Sequence, residues 1–214
     1  MKPLIVTGTD TDIGKTVVCA MLTLALEGFY WKPIQSGTEG GTDRQRVATL
    51  TGLPPSRLLA ERYVLSRPLS PHRAAELDGI AIDSGNLNLP DAPGDNWLII
   101  EGAGGVLVPI TRDLLQAALF ARWHVPAVVV ARTTLGTINH TLLTIEALKR
   151  RAIDVVGVIF VGDSMLDAER TIIEMTGMKR LGRLPIIPIL NAQSLREAFT
   201  AHFDRRDFEA AYGS

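Results

Sequence analysis

The chain has 214 residues, of which 46% are hydrophobic and 21% charged, a composition typical of a folded protein with one sizeable core. With 22 Lys and Arg against 23 Asp and Glu, the net charge of −1 gives no electrostatic footprint for nucleic acid or a membrane surface. The single cysteine, Cys19, excludes an intrachain disulfide and a multi-cysteine metal site, and we expect it to be a buried side chain rather than a reactive thiol. The sequence contains neither a signal-peptide pattern nor a run of roughly 18 apolar residues. We therefore expect a cytoplasmic protein, a single domain over residues 1–214, without a nucleic-acid or membrane partner.

Strand and helix signals alternate along the chain. Apolar, mostly β-branched runs predict strands at Leu4–Thr7, Phe29–Gln35, Trp97–Glu101, Pro126–Ala131 and Val155–Val161. Helical patterns occur at Lys15–Leu26, Asp43–Thr51, Asp113–Trp123, Ile138–Arg150 and Ser164–Thr176. Continuous apolarity in a strand indicates burial on both faces, which is the signature of a parallel sheet covered by helices. The fold class is therefore predicted to be α/β.

Two stretches give weaker signals. Prolines, among them Pro71 and Pro93, interrupt residues 52–95, and we expect short helices and loops over one edge of the site. Residues 185–214 predict one further strand followed by one or two closing helices.

A glycine-bounded loop, Gly8-Thr9-Asp10-Thr11-Asp12-Ile13-Gly14-Lys15-Thr16, joins the first predicted strand to the first predicted helix. Backbone N–H groups of such a loop and the helix dipole bind nucleotide phosphates, Lys15 reaches the outer phosphates, and the Thr16 hydroxyl can ligate Mg²⁺. The loop is one residue longer than the usual motif, so a structural turn ending in Gly-Lys-Thr is the alternative. With the alternating elements, it predicts a P-loop NTPase-like three-layer αβα fold with a mainly parallel sheet.

Polar residues lie at the end of the second predicted strand and directly after it. Lys32 lies in an otherwise apolar run, and a buried lysine requires a phosphate or carboxylate partner. The alternative is a lysine whose head reaches solvent at the strand edge. Ser36 begins a loop that leads to Asp43 at a helix start, where position alone favours a helix N-cap.

Two later strand ends carry further candidates. Glu101 ends an apolar strand and precedes Gly102-Ala103-Gly104-Gly105, as expected of a magnesium-ligating acid beside a phosphate loop. Alternatively, Glu101 caps a helix or pairs with Lys15. Gly136 begins another helix, whose N-terminus is a second potential anion site.

Five blocks of the sequence together resemble the dethiobiotin synthetase family. They are Gly-Thr-Asp-Thr-Asp-Ile-Gly-Lys-Thr at 8–16, Lys-Pro-Ile-Gln-Ser-Gly at 32–37, Ser-Pro-His at 70–72, Glu-Gly-Ala-Gly-Gly at 101–105 and Leu-Gly-Thr-Ile-Asn-His at 135–140. The blocks occur in the family's order, and the longer phosphate loop is itself a feature of the family. The resemblance implies an ATP- and Mg²⁺-dependent ligase of biotin biosynthesis that converts 7,8-diaminopelargonate and CO₂ through a carbamate and a carbamic-phosphoric anhydride.

The resemblance also implies site residues and a homodimer with its active sites at the interface. Catalysis is assigned to Lys15, Lys32 and Thr11, substrate binding to Ser36, Gly136, Thr137, Ile138 and Asn139, and metal binding to Thr16, Asp43 and Glu101. The nucleotide is expected to contact Asp12, Ile13, Gly14, Lys15, Thr16, Val17, Glu101, Gly102, Gly104, Gly105 and Pro185. By this resemblance Asp43 becomes a ligand rather than a cap, and the helix start at 136–139 binds the substrate carboxylate from the neighbouring subunit.

Val161 is placed where the family commonly has an asparagine that reads the adenine edge. An apolar side chain cannot make that readout, so we expect relaxed base selectivity, or readout by backbone groups near 182–185 or by Asp163. The alternative function is a P-loop switch ATPase of the partition-ATPase type, against which the chain lacks an additional lysine next to Gly8 and a basic surface for DNA. An amide-forming ligase related to cobyrinate synthesis is disfavoured because its glutamine-hydrolysing domain and catalytic cysteine are missing.

Overall fold

A computed structural model describes residues 1–91 and 94–213; Pro93 and Ser214, which fall in the two weaker stretches, lie outside the described residues. The strands are β1 (Lys2–Gly8), β2 (Phe29–Trp31), β3 (Ile34–Ser36), β4 (Leu58–Leu59), β5 (Tyr63–Leu65), β6 (Trp97–Glu101), β7 (Ala127–Arg132), β8 (Val155–Val161) and β9 (Arg180–Leu184). The α-helices are α1 (Lys15–Ala25), α2 (Asp43–Thr51), α3 (Pro71–Asp78), α4 (Gln116–Trp123), α5 (Thr137–Lys149), α6 (Leu166–Thr176), α7 (Ala192–His202) and α8 (Arg205–Glu209). Short 3₁₀ turns lie at Pro55–Arg57, Ser84–Asn86 and Ala210–Tyr212.

The main sheet has seven strands in the order β4-β2-β6-β1-β7-β8-β9, and all of its pairings are parallel. Glu101 at the end of β6 is the register partner of Val6 in β1, and Trp31 of β2 pairs with Ile100 of β6. The carboxyl ends of these three strands therefore lie side by side. This edge of the sheet is where ligands bind in open α/β folds.

Helices cover both faces of the main sheet. Leu4 and Val6 of β1 face a core formed with α1, α2, α7 and α8, whereas Ile5 between them faces a core formed with α4, α5 and α6. The buried strands are apolar on both sides because each face is covered. The predicted three-layer αβα fold with a mainly parallel sheet is confirmed. No helix within the described residues is long and apolar enough to cross a membrane.

The predicted strand Phe29–Gln35 is wrong as one element. β2 ends at Trp31, and β3 pairs with β5 in a separate two-stranded parallel sheet. Pro33 lies at the break because it has no N–H to donate to a ladder, while its carbonyl accepts from the backbone of Arg62 and Tyr63. Lys32 consequently lies in the bend between two sheets rather than within a strand.

Smaller corrections concern the ends of elements. The region 52–95 contains the short strands β4 and β5 besides the expected short helices. The further strand expected within the tail instead precedes Pro185, at Arg180–Leu184. Helix α4 begins at Gln116 rather than Asp113, because Leu115 forms a bridge with Pro109 before the helix starts.

Candidate functional site

The loop between β1 and α1 has the conformation of an anion-binding helix start. Gly14 precedes α1 with a left-handed φ of 94°, and a Cβ placed there would lie 3.0 Å from a methyl group of Val161. Both features require glycine at this position. Val161, expected at the adenine, therefore has its side chain packed against this loop.

A cleft of about 920 Å³ opens beside the loop. It collects predicted residues from four separate segments of the chain. The cleft is lined by Thr11, Asp12, Gly14, Lys15, Thr16, Val17, Lys32, Ser36, Asp43, Glu101 and Gly104, together with residues such as Ser70, Pro71 and Arg46. Most of the predicted catalytic, metal and nucleotide residues are thus brought together at one place.

Lys15 is folded back onto its own loop. The residue is 6% exposed, and its ammonium donates a hydrogen bond to the carbonyl oxygen of Asp10. The Asp10 carboxylate in turn accepts from Arg132 at the end of β7, at 2.7 Å. Burial lowers the pKa of Lys15, although the charge of Glu101 opposes this shift. Arg132 was not predicted, and the 122 residues that separate it from Asp10 left no local signal.

Lys32 is 7% exposed and pairs with the carboxylates of Asp43 and Glu101, the latter at 3.2 Å. The expected anionic partners are therefore carboxylates, and the solvent-reaching alternative does not apply. Burial by itself would lower the pKa of Lys32, but the charges of Glu101 and Asp43 outweigh burial and raise it above its ordinary value. The side chain therefore carries a positive charge into the cleft.

Three oxygens converge beside Lys32. The Thr16 hydroxyl oxygen lies 2.9 Å from Asp43 Oδ1 and 2.8 Å from Glu101 Oε1. A hydroxyl has one proton and cannot donate it to two carboxylates at once. Adjacent oxygen ligands of an octahedral Mg²⁺, each about 2.0–2.1 Å from the ion, are about 2.9 Å apart. The chemistry and spacing of these donors fit a magnesium ion.

Asp43 is the first residue of α2 and not its cap. Thr42 caps the helix, with its side chain accepting from the Gln45 backbone and Gln45 bonding back to Thr42. The interpretation of Asp43 as an N-cap is therefore wrong, because this capping box leaves its carboxylate free to face Lys32 and Thr16. Burial would raise the pKa of Asp43, but the charge and hydrogen bond of Lys32 outweigh burial and lower it. The backbone N–H of Asp43 donates to Gln35 at 3.1 Å, which fixes the start of the helix.

A hydrogen bond from Tyr30, a residue that was not predicted, orients Glu101 from the side of the core. Glu101 Oε2 accepts this hydrogen bond from the hydroxyl of Tyr30 at 2.8 Å, and both residues are almost fully buried. Burial raises the pKa of Tyr30 well above its ordinary value, so the hydroxyl keeps its proton. Cys19 is fully buried nearby, as expected.

The glycine loop after Glu101 lies against the phosphate loop. A Cβ on Gly104, whose φ is +63°, would lie 3.3 Å from the Thr11 hydroxyl, and one on Gly105 would approach the Thr9 carbonyl. Gln116, 2% exposed, holds this glycine loop by accepting from Ala103 at 2.7 Å and donating to Gly105 at 3.2 Å. Gln116 was also missed, because its role arises only where α4 packs under the loop.

The remaining predicted residues lie outside this cleft in the described part of the chain. Ile13 is 3% exposed and packs in the core, so only its backbone is available to a ligand. A Cβ on Gly102 would lie 3.0 Å from the side chains of Gln116 and Phe120. Pro185 follows β9. The segment Gly136, Thr137, Ile138 and Asn139 forms the start of α5, with Gly136 at a φ of 90°.

Comparison with known proteins relates the chain to a family. A family model described as an AAA domain matches residues 2–194. A protein of Rhodopseudomonas palustris (strain HaA2) named ATP-dependent dethiobiotin synthetase BioD is 55% identical over 207 residues, covering 97% of this chain and 96% of that protein. Proteins of the same name from Novosphingobium aromaticivorans and Agrobacterium fabrum are 52% and 53% identical, covering 97% and 95% of this chain and 100% and 95% of their own lengths.

Solved structures show the same fold at low identity. The septum site-determining protein MinD from Pyrococcus horikoshii superposes with a TM-score of 0.55 at 12% identity, covering 92% of this chain and 86% of its own. The MinC:MinD complex of Aquifex aeolicus gives a TM-score of 0.54 at 14% identity, with the same coverage of 92% and 86%. At these identities the likeness concerns the fold alone.

Proposed function

This chain belongs to the family of ATP-dependent dethiobiotin synthetases, ligases of biotin biosynthesis, and we propose that it closes the ureido ring of dethiobiotin from 7,8-diaminopelargonate and CO₂ in the cleft beside Gly8–Thr16. The observation that carries the proposal is the meeting of Lys15, Lys32 and three oxygen donors at the ends of neighbouring strands. Such a site stabilises anions brought into line with each other.

The nucleotide phosphates would bind the loop at the start of α1. Backbone N–H groups from Asp12 to Val17 and the positive end of the helix dipole provide the anion site. Lys15 would leave the Asp10 carbonyl to contact the outer phosphates. The backbones of Gly102, Gly104 and Gly105 would border the same nucleotide, and Pro185 the base.

Thr16, Asp43 and Glu101 would hold Mg²⁺, since their oxygens have the spacing of adjacent magnesium ligands. When bound, the ion would neutralise charge on the β- and γ-phosphates. Lys32 pairs with the same two carboxylates, Asp43 and Glu101. Its ammonium would then be available to the second anion, the carbamate.

The reaction needs positioning more than acid–base chemistry. One amine of the diamine adds to CO₂ and loses a proton, giving a carbamate. A carbamate oxygen attacks the γ-phosphorus and displaces ADP, and the second amine then attacks the carbonyl carbon of the anhydride, releasing phosphate and closing the ring. Lys15 and Lys32 would flank the transferred phosphoryl group. Thr11 and Ser36 would contact the diamine or carbamate; the buried Ser36 hydroxyl has no hydrogen-bond partner among the described residues.

A homodimer would complete the substrate site. The start of α5, at Gly136, Thr137, Ile138 and Asn139, offers backbone N–H groups to the substrate carboxylate of the neighbouring subunit. The Thr137 hydroxyl is buried and has no hydrogen-bond partner in the described chain. Leu143 on the same helix is 55% exposed, which supports an apolar contact between subunits. A Leu143→Glu protein that is folded and monomeric should bind the diamine weakly; wild-type affinity in that monomer would contradict the dimeric site.

The partition-type switch ATPase is not favoured as an alternative. Relatives with 52–55% identity over nearly the whole chain are dethiobiotin synthetases, whereas the MinD structures share the fold at 12–14% identity. The experiment that separates the two functions is phosphate release with ATP, Mg²⁺, bicarbonate and 7,8-diaminopelargonate, omitting each component in turn. We expect release to require all four. Release that is indifferent to the diamine would contradict the ligase and favour the switch.

A further inference from the structure

The carboxylate of Glu101 divides its two oxygens between the cleft and the core. Oε1 faces the cleft, where it lies 2.8 Å from the Thr16 hydroxyl and 3.2 Å from the Lys32 ammonium. Oε2 accepts the hydrogen bond of Tyr30 at 2.8 Å. Glu101 is 1% exposed and Tyr30 is fully buried, so the hydrogen bond between them is shielded from water. The two oxygen positions therefore have different environments, one in the cleft and one in the core.

Tyr30 reaches Glu101 from the neighbouring strand. β2 pairs with β6 in parallel, with Tyr30 opposite Ile99, two residues before Glu101. The ring is enclosed by the core beneath α1, in contact with the layer that includes Met21 and Leu22. A buried aromatic side chain in such a layer has little freedom to move. Its hydroxyl is consequently a fixed donor at the inner side of the carboxylate.

We propose that Tyr30 is a positioning residue that fixes Glu101 as a one-oxygen magnesium ligand, with Oε1 directed at the ion. This inference rests on the proposed magnesium site. Because one oxygen, Oε2, is engaged by Tyr30, only Oε1 is available in the cleft. Turning both oxygens towards the cleft would leave the buried Tyr30 hydroxyl without an acceptor. Hydrogen-bond partners that orient metal ligands commonly change metal affinity by about 10–100-fold when they are removed.

The test compares nucleotide binding with and without metal. The dissociation constant of β,γ-imido-ATP is measured by calorimetry in Mg²⁺ and in EDTA, for wild type and for Tyr30→Phe, which deletes only the hydroxyl. The dissociation constant in EDTA divided by that in Mg²⁺ reports the metal contribution to binding. We expect Tyr30→Phe to reduce this ratio about 10-fold or more, while the dissociation constant in EDTA is unchanged. A purely structural role would lower the melting temperature without changing the ratio. Tyr63→Phe is the matched control, because that hydroxyl bonds to the backbone of Asp83.

The outcomes separate this inference from the proposed function. If wild type binds the analogue equally in Mg²⁺ and EDTA, the magnesium site itself is wrong. If wild type depends on Mg²⁺ and Tyr30→Phe keeps the full ratio, the role of Tyr30 is wrong. Should Tyr30→Phe fail to fold, ¹⁹F NMR of wild type labelled with 3-fluorotyrosine tests the role of Tyr30 instead. The signals of the other two tyrosines are assigned with the Tyr63→Phe and Tyr212→Phe variants. The Tyr30 signal should shift with Mg²⁺ and analogue but not with analogue in EDTA; absence of a metal-dependent shift would overturn the proposal.

Discussion

Replacing Lys32 by methionine tests the electrostatics of the site without a nucleotide. The Lys32 ammonium lies between Asp43 and Glu101, whose side chains are 23% and 1% exposed. Removing one member of a buried ion pair commonly costs about 3–5 kcal/mol, because the remaining charge is left unpaired. Since Asp43 is partly exposed, we expect about 3 kcal/mol for Lys32→Met. For a chain of this length that corresponds to a melting temperature lower by about 6–12 °C.

Thermal unfolding in EDTA, followed by circular dichroism, measures this effect. Added Mg²⁺ should raise the melting temperature of Lys32→Met by more than that of wild type, because the ion supplies the missing positive charge between the carboxylates. Phosphate release should be lost. Lys149→Met is the control, since that exposed lysine donates to the carbonyl of Thr176 and has no ion-pair partner among the described residues. It should change stability by less than about 0.5 kcal/mol. An unchanged melting temperature for Lys32→Met in EDTA, or retained turnover, would refute the reasoning.

Three further predictions concern the same cleft. Thr11→Val should raise the Michaelis constant for the diamine more than that for ATP. The reason is that Thr11 would contact the carbamate where the phosphate loop approaches the glycine loop after Glu101. An equal rise in both constants would contradict this role. Nucleoside triphosphates other than ATP should support turnover measurably, since Val161 packs on the phosphate loop and offers the base no hydrogen bond; strict ATP specificity would show that backbone groups read the base. The charge of Lys32 outweighs burial and lowers the pKa of Asp43 in the folded protein. The ion pair therefore stabilises the fold at pH values above the ordinary Asp pKa of about 4. This stabilisation is lost as the pH falls through the lower pKa of the folded state. In acid titrations of metal-free protein, wild type should therefore lose stability more steeply than Asp43→Asn below about pH 4, and parallel curves would contradict it.

The phosphate loop and the sheet were predictable because their signals are local. Gly14, Lys15 and Thr16 follow an apolar strand and open an apolar helix, and no distant contact is needed to infer an anion site there. Glu101 could be placed beside this loop by one additional rule, that parallel strands end at the same edge of a sheet. Its register with Val6 confirms that placement.

The supporting residues could not be predicted in the same way. Tyr30 lies inside an apolar strand and looks like a core residue until Glu101, 71 residues later, is placed beside it. Gln116 and Arg132 likewise act through contacts made by the tertiary fold. Thr42 is different, because Thr42 with Gln45 three residues later is a capping-box pattern readable in the sequence, and it predicts a cap one residue before Asp43.

The most direct measurement of the central claim follows oxygen from bicarbonate to phosphate. If a carbamate oxygen attacks the γ-phosphorus and the second amine then closes the ring, that oxygen leaves with phosphorus. Turnover with ¹⁸O-labelled bicarbonate, ATP, Mg²⁺ and 7,8-diaminopelargonate should therefore release phosphate that carries one ¹⁸O atom, detected by mass spectrometry. Phosphate free of label, formed while dethiobiotin accumulates, would contradict attack by a carbamate held between Lys15 and Lys32.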